Sequence, residues 1–147
     1  MPEHGRTPGF VHISEAANLA LHALMLLAAE PERSLRVRQV CEVIPASASH
    51  LAKVLQRLAR AGLVSSSRGP QGGFTLARPA GTVTLLEIYR AVEGPPPAHT
   101  CLLGRKKCAP ECVLGELVSR TNAEIEGRLG KTRLTDVAGA FRRGGRA

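Results

Sequence analysis

Three of the four cysteines in this 147-residue chain fall close together, as Cys101-x6-Cys108-x3-Cys112. Three thiolates on one short loop suit an iron–sulfur cluster or zinc, since both take soft, deprotonated sulfur at close quarters. Cys112 stands where a helical pattern begins, and the dipole of a first helical turn favours the thiolate form. Adding His99 would close a Cys3His zinc site. Cys41 is isolated on an apolar helical position and reads as a buried thiol used for packing. His12 and His22 read as surface and helix-packing residues.

A second chemical signal is charge. No acidic residue occurs between Glu42 and Glu87, while His50, Lys53, Arg57, Arg60, Arg68 and Arg78 all fall there, in a chain of net charge +8. A purely cationic segment points to a polyanionic partner. Nothing resembles a substrate site, so no enzyme is expected. A small electron carrier would use the same cysteines but would need neither the acid-free segment nor the hairpin described next. The N-terminal MPEHGRTPGF has no apolar stretch, and the longest apolar run, Leu19 to Ala29, is broken by His22 and too short for a bilayer. A cytoplasmic chain without membrane contact is expected, its cysteines kept reduced.

The elements that must position these groups follow from periodicity. Residues 1–12 read as a flexible arm. Ser14 caps a helix to Ala29 that is apolar nearly all round, so it must be buried on more than one side, with a second subunit as one candidate cover. Leu35, Val37, Val40, Cys41 and Ile44 give a short helix ending before Pro45. Ser47 caps another, with Leu51, Val54, Leu55, Leu58 and Ala59 inward, Ser49, His50, Lys53, Gln56, Arg57 and Arg60 outward, and Gly62 at its end. Two short helices of this kind form a helix-turn-helix. LVSSSR and GFTLAR, separated by Gly69-Pro-Gln-Gly-Gly73, predict a hairpin. Thr84-Leu-Leu-Glu87 is a capping box that opens a helix with Leu85, Ile88, Tyr89 and Val92 inward and Gly94 at its close. Pro95 to Pro97 break the chain, the cysteine loop follows, and a long helix is predicted over roughly Val113 to Leu129.

In this order the elements resemble the Rrf-type winged helix-turn-helix regulators typified by IscR, NsrR, RirA and CymR, over about residues 12–138. The resemblance rests chiefly on GLVSSSRGPQGGFTLARP followed by VTLLEIYRAVEG, similar to the family's RGPGGGY wing and the capped helix behind it. It implies a mainly α fold with a small β-hairpin wing and a long C-terminal dimerisation helix. The expected organisation is an arm (1–12), a winged helix-turn-helix (13–94), a cysteine loop (95–112), a dimerisation helix and C-terminal segment (113–138) and a disordered tail (139–147).

The resemblance implies a homodimeric transcriptional regulator, expected to be a repressor, that binds a pseudo-palindromic operator in double-stranded DNA. Ser49, His50 and Lys53 are placed for base edges, Arg57 and Arg60 for phosphates or solvent, and Arg68, with Gln71 at the hairpin tip, for the minor groove. The family's cluster-binding members carry three cysteines in this loop, so the resemblance points to an iron–sulfur cluster, 4Fe–4S or 2Fe–2S, on Cys101, Cys108 and Cys112. Such a cluster would sense nitric oxide, redox state or iron and cluster supply. Zinc, or cluster-free thiol sensing, is the alternative. The gaps of six and three residues differ from the family's five and five. Ala52 replaces an acidic reader of the IscR type, HLAKV is closer to the NsrR branch, Gly115 stands where IscR has a ligating histidine, and Asn18 stands where NsrR has a ligating acid. The fourth ligand therefore stays open among Glu15, His99, Glu111, a partner-chain residue and a small molecule.

Overall fold

The computed structural model describes residues 11–95, 101–103, 105 and 111–144. Three helix starts follow from local chemistry. The Ser14 hydroxyl accepts the N–H of Ala17 at α1 (Glu15–Ala29), and that of Ser47 accepts the N–H of His50 at α3 (Ala48–Arg60). At α4 (Leu85–Glu93) the capping box is complete: Thr84 Oγ1 accepts the Glu87 N–H, and the Glu87 carboxylate accepts the Thr84 N–H at 2.8 Å. Each such cap supplies about 1 kcal/mol by satisfying donors that the helix cannot.

Between α1 and α3 lies α2 (Val37–Val43), and after α3 come β1 (Val64–Ser67) and β2 (Gly73–Leu76), an antiparallel pair in which Val64 faces Leu76 and Ser67 faces Gly73. An isolated bridge between Leu35 and Phe74 ties this hairpin to the segment entering α2: Leu35 N–H donates to Phe74 O at 3.0 Å, and Phe74 N–H to Leu35 O at 2.8 Å. Two four-residue strands are marginal alone, so this third partner is what anchors the wing. A 3-10 turn, Ala80–Thr82, leads to α4.

Two expectations change at the C-terminal end. The long helix, α5, runs from Val113 to Lys131, and the chain then breaks at Thr132 and turns into α6 (Leu134–Gly144). Residues 139–144, expected as disordered tail, are thus helical, and 145–147 lie outside the described residues. The residues of the 1–12 arm before Val11 also lie outside them. The return is fixed by Leu85 N–H donating to Thr132 O at 3.0 Å and Leu134 N–H to Val83 O at 2.9 Å. Leu134, Val137, Ala138 and Phe141 recur at helical spacing and join the core.

This explains α1. Its Ala17, Leu19, Ala20, Ala23, Leu24, Leu26, Leu27 and Ala28 are all buried, as its all-round apolarity requires, yet the covers are α3, α4, β2 and, most extensively, α6 of the same chain. No second subunit is needed over α1. His22 is exposed and meets the edge of the Phe141 ring, 6.3 Å between centroids. Cys41 is half-buried against the core rather than fully enclosed.

Candidate nucleic-acid interface and cysteine loop

The helix-turn-helix presents α3 with Leu51, Val54, Leu55 and Leu58 buried. Of the predicted readers, Ser49, Lys53, Arg57 and Arg60 are exposed, as are Arg68 and Gln71 in the hairpin, while His50 is half-exposed. Lys53, Arg60 and Arg68 make no side-chain hydrogen bond or ion pair among the described residues, which leaves three cations open to an anionic partner.

Two of the predicted contact residues are engaged inside the protein. Arg57 Nη1 donates to Val92 O, in the last turn of α4, at 3.2 Å, so the exposed side chain also links α3 to α4. His50 Nδ1 lies 3.5 Å from the Glu15 carboxylate of α1. The Ser14 hydroxyl donates to the Glu93 carboxylate. Together these join the recognition helix, the start of α1 and the end of α4 at a junction that leads into the cysteine loop through Gly94 and Pro95.

One residue of this region escaped the sequence reading. Arg36, at the start of α2, reaches the hairpin tip and donates to the carbonyls of Gly69, Pro70 and Gly72. Its only sequence signal was negative, an arginine where a short polar cap is usual.

Of the three clustered cysteines, Cys101 and Cys112 are described and half-buried, whereas Cys108 and His99 lie outside the described residues. Cys112 is the N-cap of α5, and its sulfur accepts the Gly115 N–H at 3.4 Å. A sulfur that accepts a backbone donor at a helix start is stabilised as thiolate, the form a metal or cluster requires. The donor set fits a thiophilic group in chemistry. Among the described residues no group of three metal-ligating side chains converges. Glu15 faces His50, and Glu111 is exposed.

Beyond the loop, among the described residues, α5 packs chiefly on α4, helped by an Arg90–Glu126 ion pair at 3.6 Å. None of its residues is buried. Val113, Leu114 and Leu117 are 75%, 57% and 59% exposed, an apolar face that no other described residue covers fully. Beside it a groove of about 560 Å³ opens between α1, α4 and α5, lined among others by Leu21, Leu86, Tyr89, Leu117 and Ile125. Among the described residues no helix is long and apolar enough to cross a membrane.

Comparison with known proteins gives a consistent result. The profile described as "Rrf2: Iron-dependent Transcriptional regulator" matches residues 13–140. YwgB of Bacillus subtilis, named as a putative transcriptional regulator of the helix-turn-helix type, is 33% identical over 106 residues, 67% of this chain and 68% of that one. Two further curated relatives, 36% and 37% identical over 83 residues, are matched along only about half of their length. Among solved structures, CymR of B. subtilis, described as the global cysteine regulator, superposes with a TM-score of 0.75 at 26% identity, covering 89% of this chain and 98% of its own. IscR of T. potens gives 0.71 at 25% identity, covering 86% and 85%.

Proposed function

Because the chain belongs to the Rrf2 family of transcriptional regulators, whose members bind DNA and are not enzymes, we propose that it is a repressor that binds a pseudo-palindromic operator as a homodimer. The observation that carries this reading is the set of uncommitted cations on α3 and the wing: Lys53 and Arg60 on the outer face of the recognition helix, and Arg68 beside the tip. In this reading Ser49, His50 and Lys53 meet base edges, Arg60 meets phosphate, and Arg68 and Gln71 meet the flanking minor groove. Arg57, exposed and joined to Val92 O through one of its five donors, keeps the others for phosphate. The bare apolar face of α5 supports the homodimer, since burying Val113, Leu114 and Leu117 against a second copy removes the largest exposed hydrophobes of the helix from water.

We further propose that Cys101, Cys108 and Cys112 hold an iron–sulfur cluster whose presence sets operator affinity. What supports this is the thiolate-favouring position of Cys112, together with the family's description as iron-dependent and the likeness to IscR. When bound, the group would supply redox chemistry or reactivity towards nitric oxide. The chain's own part is to tie the loop between α4 and α5, and coupling of about 1–3 kcal/mol there already shifts affinity roughly 5- to 150-fold. A zinc or cluster-free thiol regulator is the second reading, favoured by the likeness to CymR.

The deciding experiment is anaerobic purification with iron, sulfide and zinc quantification, followed by duplex binding of loaded and stripped protein. A brown protein is expected. Replacing Cys101, Cys108 or Cys112 by Ser should remove the colour and change the affinity, while Cys41→Ala does neither. A colourless protein carrying zinc overturns the cluster. A colourless Cys108→Ser variant that binds like the loaded wild type overturns its role in regulation.

A further inference from the structure

Arg36 occupies the N-cap of α2 but makes no side-chain capping bond there. Its donors reach across to the wing: Nη2 to Gly69 O at 3.0 Å and Pro70 O at 2.9 Å, and Nε to Gly72 O at 3.4 Å. Gly69 O also accepts the Gly72 N–H at 3.0 Å, the hydrogen bond that closes the tip. A single side chain therefore gathers three carbonyls of one turn.

We propose that Arg36 is a positioning residue for DNA reading, a clamp that fixes the wing tip, and with it the neighbouring Arg68, relative to the helix-turn-helix. The inference rests on the DNA-binding reading above. The strands themselves do not hold the tip: β1 ends at Ser67 and β2 starts at Gly73, so residues 68–72 project beyond the last paired rung. Turn carbonyls pointing towards water leave such a tip free to sample several orientations, and each must be frozen again on binding. The guanidinium is a rigid fork with five donors, so it can hold several divergent acceptors in one geometry, whereas an ammonium is a point charge on a flexible stem. The clamp is anchored at its other end too, because the Arg36 N–H donates to Gln39 Oε1 of α2 at 2.9 Å. Wing and helix-turn-helix are thereby joined at the tip as well as at the Leu35–Phe74 bridge.

A direct phosphate contact by Arg36 is the rival explanation of any binding defect, and the two differ in measurable ways. The full-length wild type selects its operator from a random duplex pool, and Arg36→Ala, Arg36→Lys, Arg68→Ala and the Arg36→Ala/Arg68→Ala double variant are titrated with that duplex across salt concentrations. Amide exchange at Gly72 is followed in the DNA-free proteins. The clamp predicts that Arg36→Ala binds at least about fivefold more weakly, the low end for one groove contact, and no worse than Arg68→Ala. It predicts that Lys fails to rescue, that Arg36→Ala costs under about twofold when Arg68 is already absent, and that Gly72 exchanges faster. Full rescue by Lys, a salt slope in the double variant lower by about one than in Arg68→Ala, additive losses or unchanged Gly72 exchange each overturn it. If the wild type selects no duplex at all, the DNA-binding reading falls and the proposal with it. Intact wild-type binding with any of the preceding results removes the clamp alone.

Discussion

Replacing Gly73 by alanine sets a methyl group where the wing docks on the helix-turn-helix, and the structure fixes what that must cost. Gly73 has φ +145°, and an added Cβ would lie 2.7 Å from Leu35 O and 2.7 Å from Ser34 Oγ. The Ser34 oxygen is buried with no hydrogen-bond partner among the described residues, so it gains nothing by the approach. If the strand stays, the dihedral alone costs about 1–3 kcal/mol, before the contact with a backbone oxygen is counted. If the strand retreats, it surrenders both hydrogen bonds between Leu35 and Phe74, about 0.5–1.5 kcal/mol each, and part of the cover over Phe74. Either route gives a loss of about 2–4 kcal/mol, which a domain of this size survives with its fold. The control is Gly69→Ala, where φ is +98° but nothing lies within 4 Å, so only a backbone cost of about 1–2 kcal/mol is expected. Urea unfolding of both variants, with unchanged m-values, measures the difference. Gly73→Ala no more destabilising than Gly69→Ala would refute the reasoning that the wing is seated against Leu35.

Three further outcomes are expected. Arg68→Ala should weaken binding to the selected duplex by about 1–3 kcal/mol while leaving the oligomeric state, read by light scattering, unchanged; equal affinity at physiological salt would remove Arg68 from the interface. Leu134 is fully buried, so Leu134→Ala should cost about 2–5 kcal/mol in thermal or urea unfolding, and a loss below about 1 kcal/mol would mean that α6 is not part of the core. The Glu87 carboxyl is held below its ordinary value of 4.5 by the Arg78 guanidinium and the Thr84 N–H, against the opposing effect of burial. Its folded pKa is lowered, so its stabilisation is complete above that ordinary value and is lost as pH falls through the folded one. Glu87→Gln should therefore flatten the acid limb of the stability profile, and a profile parallel to wild type would contradict the assignment.

Local signals read well from the sequence where a side chain bonds within its own turn. Ser14, Ser47 and the Thr84–Glu87 pair each announced a helix start, and the glycine-rich break between the two alternating segments announced the hairpin. What escaped was set by distance along the chain. The spacing of Leu134, Val137, Ala138 and Phe141 was visible, but the glycine- and arginine-rich residues that follow them masked a helix whose stability comes from α1. Arg57, read as meeting phosphate or solvent, also donates to a carbonyl of α4, Val92 O, thirty-five residues on. Arg36 looks like a poor cap until the wing tip arrives, more than thirty residues later. Arginine's length makes its partner a tertiary matter, which periodicity does not encode.

The packing of α6 on α1 has a consequence for synthesis. The first and last described helices complete one core across roughly a hundred residues of intervening chain, so the apolar side of α1 that α6 covers has no native cover while translation is still in progress. Closing so long a loop costs little extra entropy, but it imposes an order in time: recognition helix and wing leave the ribosome well before the segment that stabilises the scaffold beneath them. A product cut short in the cysteine loop would contain every proposed DNA-contacting residue and lack the cover on α1, making it prey for chaperones and proteases rather than a competitor for the operator. Quality control is in this way built into chain order, since a polypeptide completes the cover of its helix-turn-helix scaffold only after the segment that follows the cysteine loop has been made.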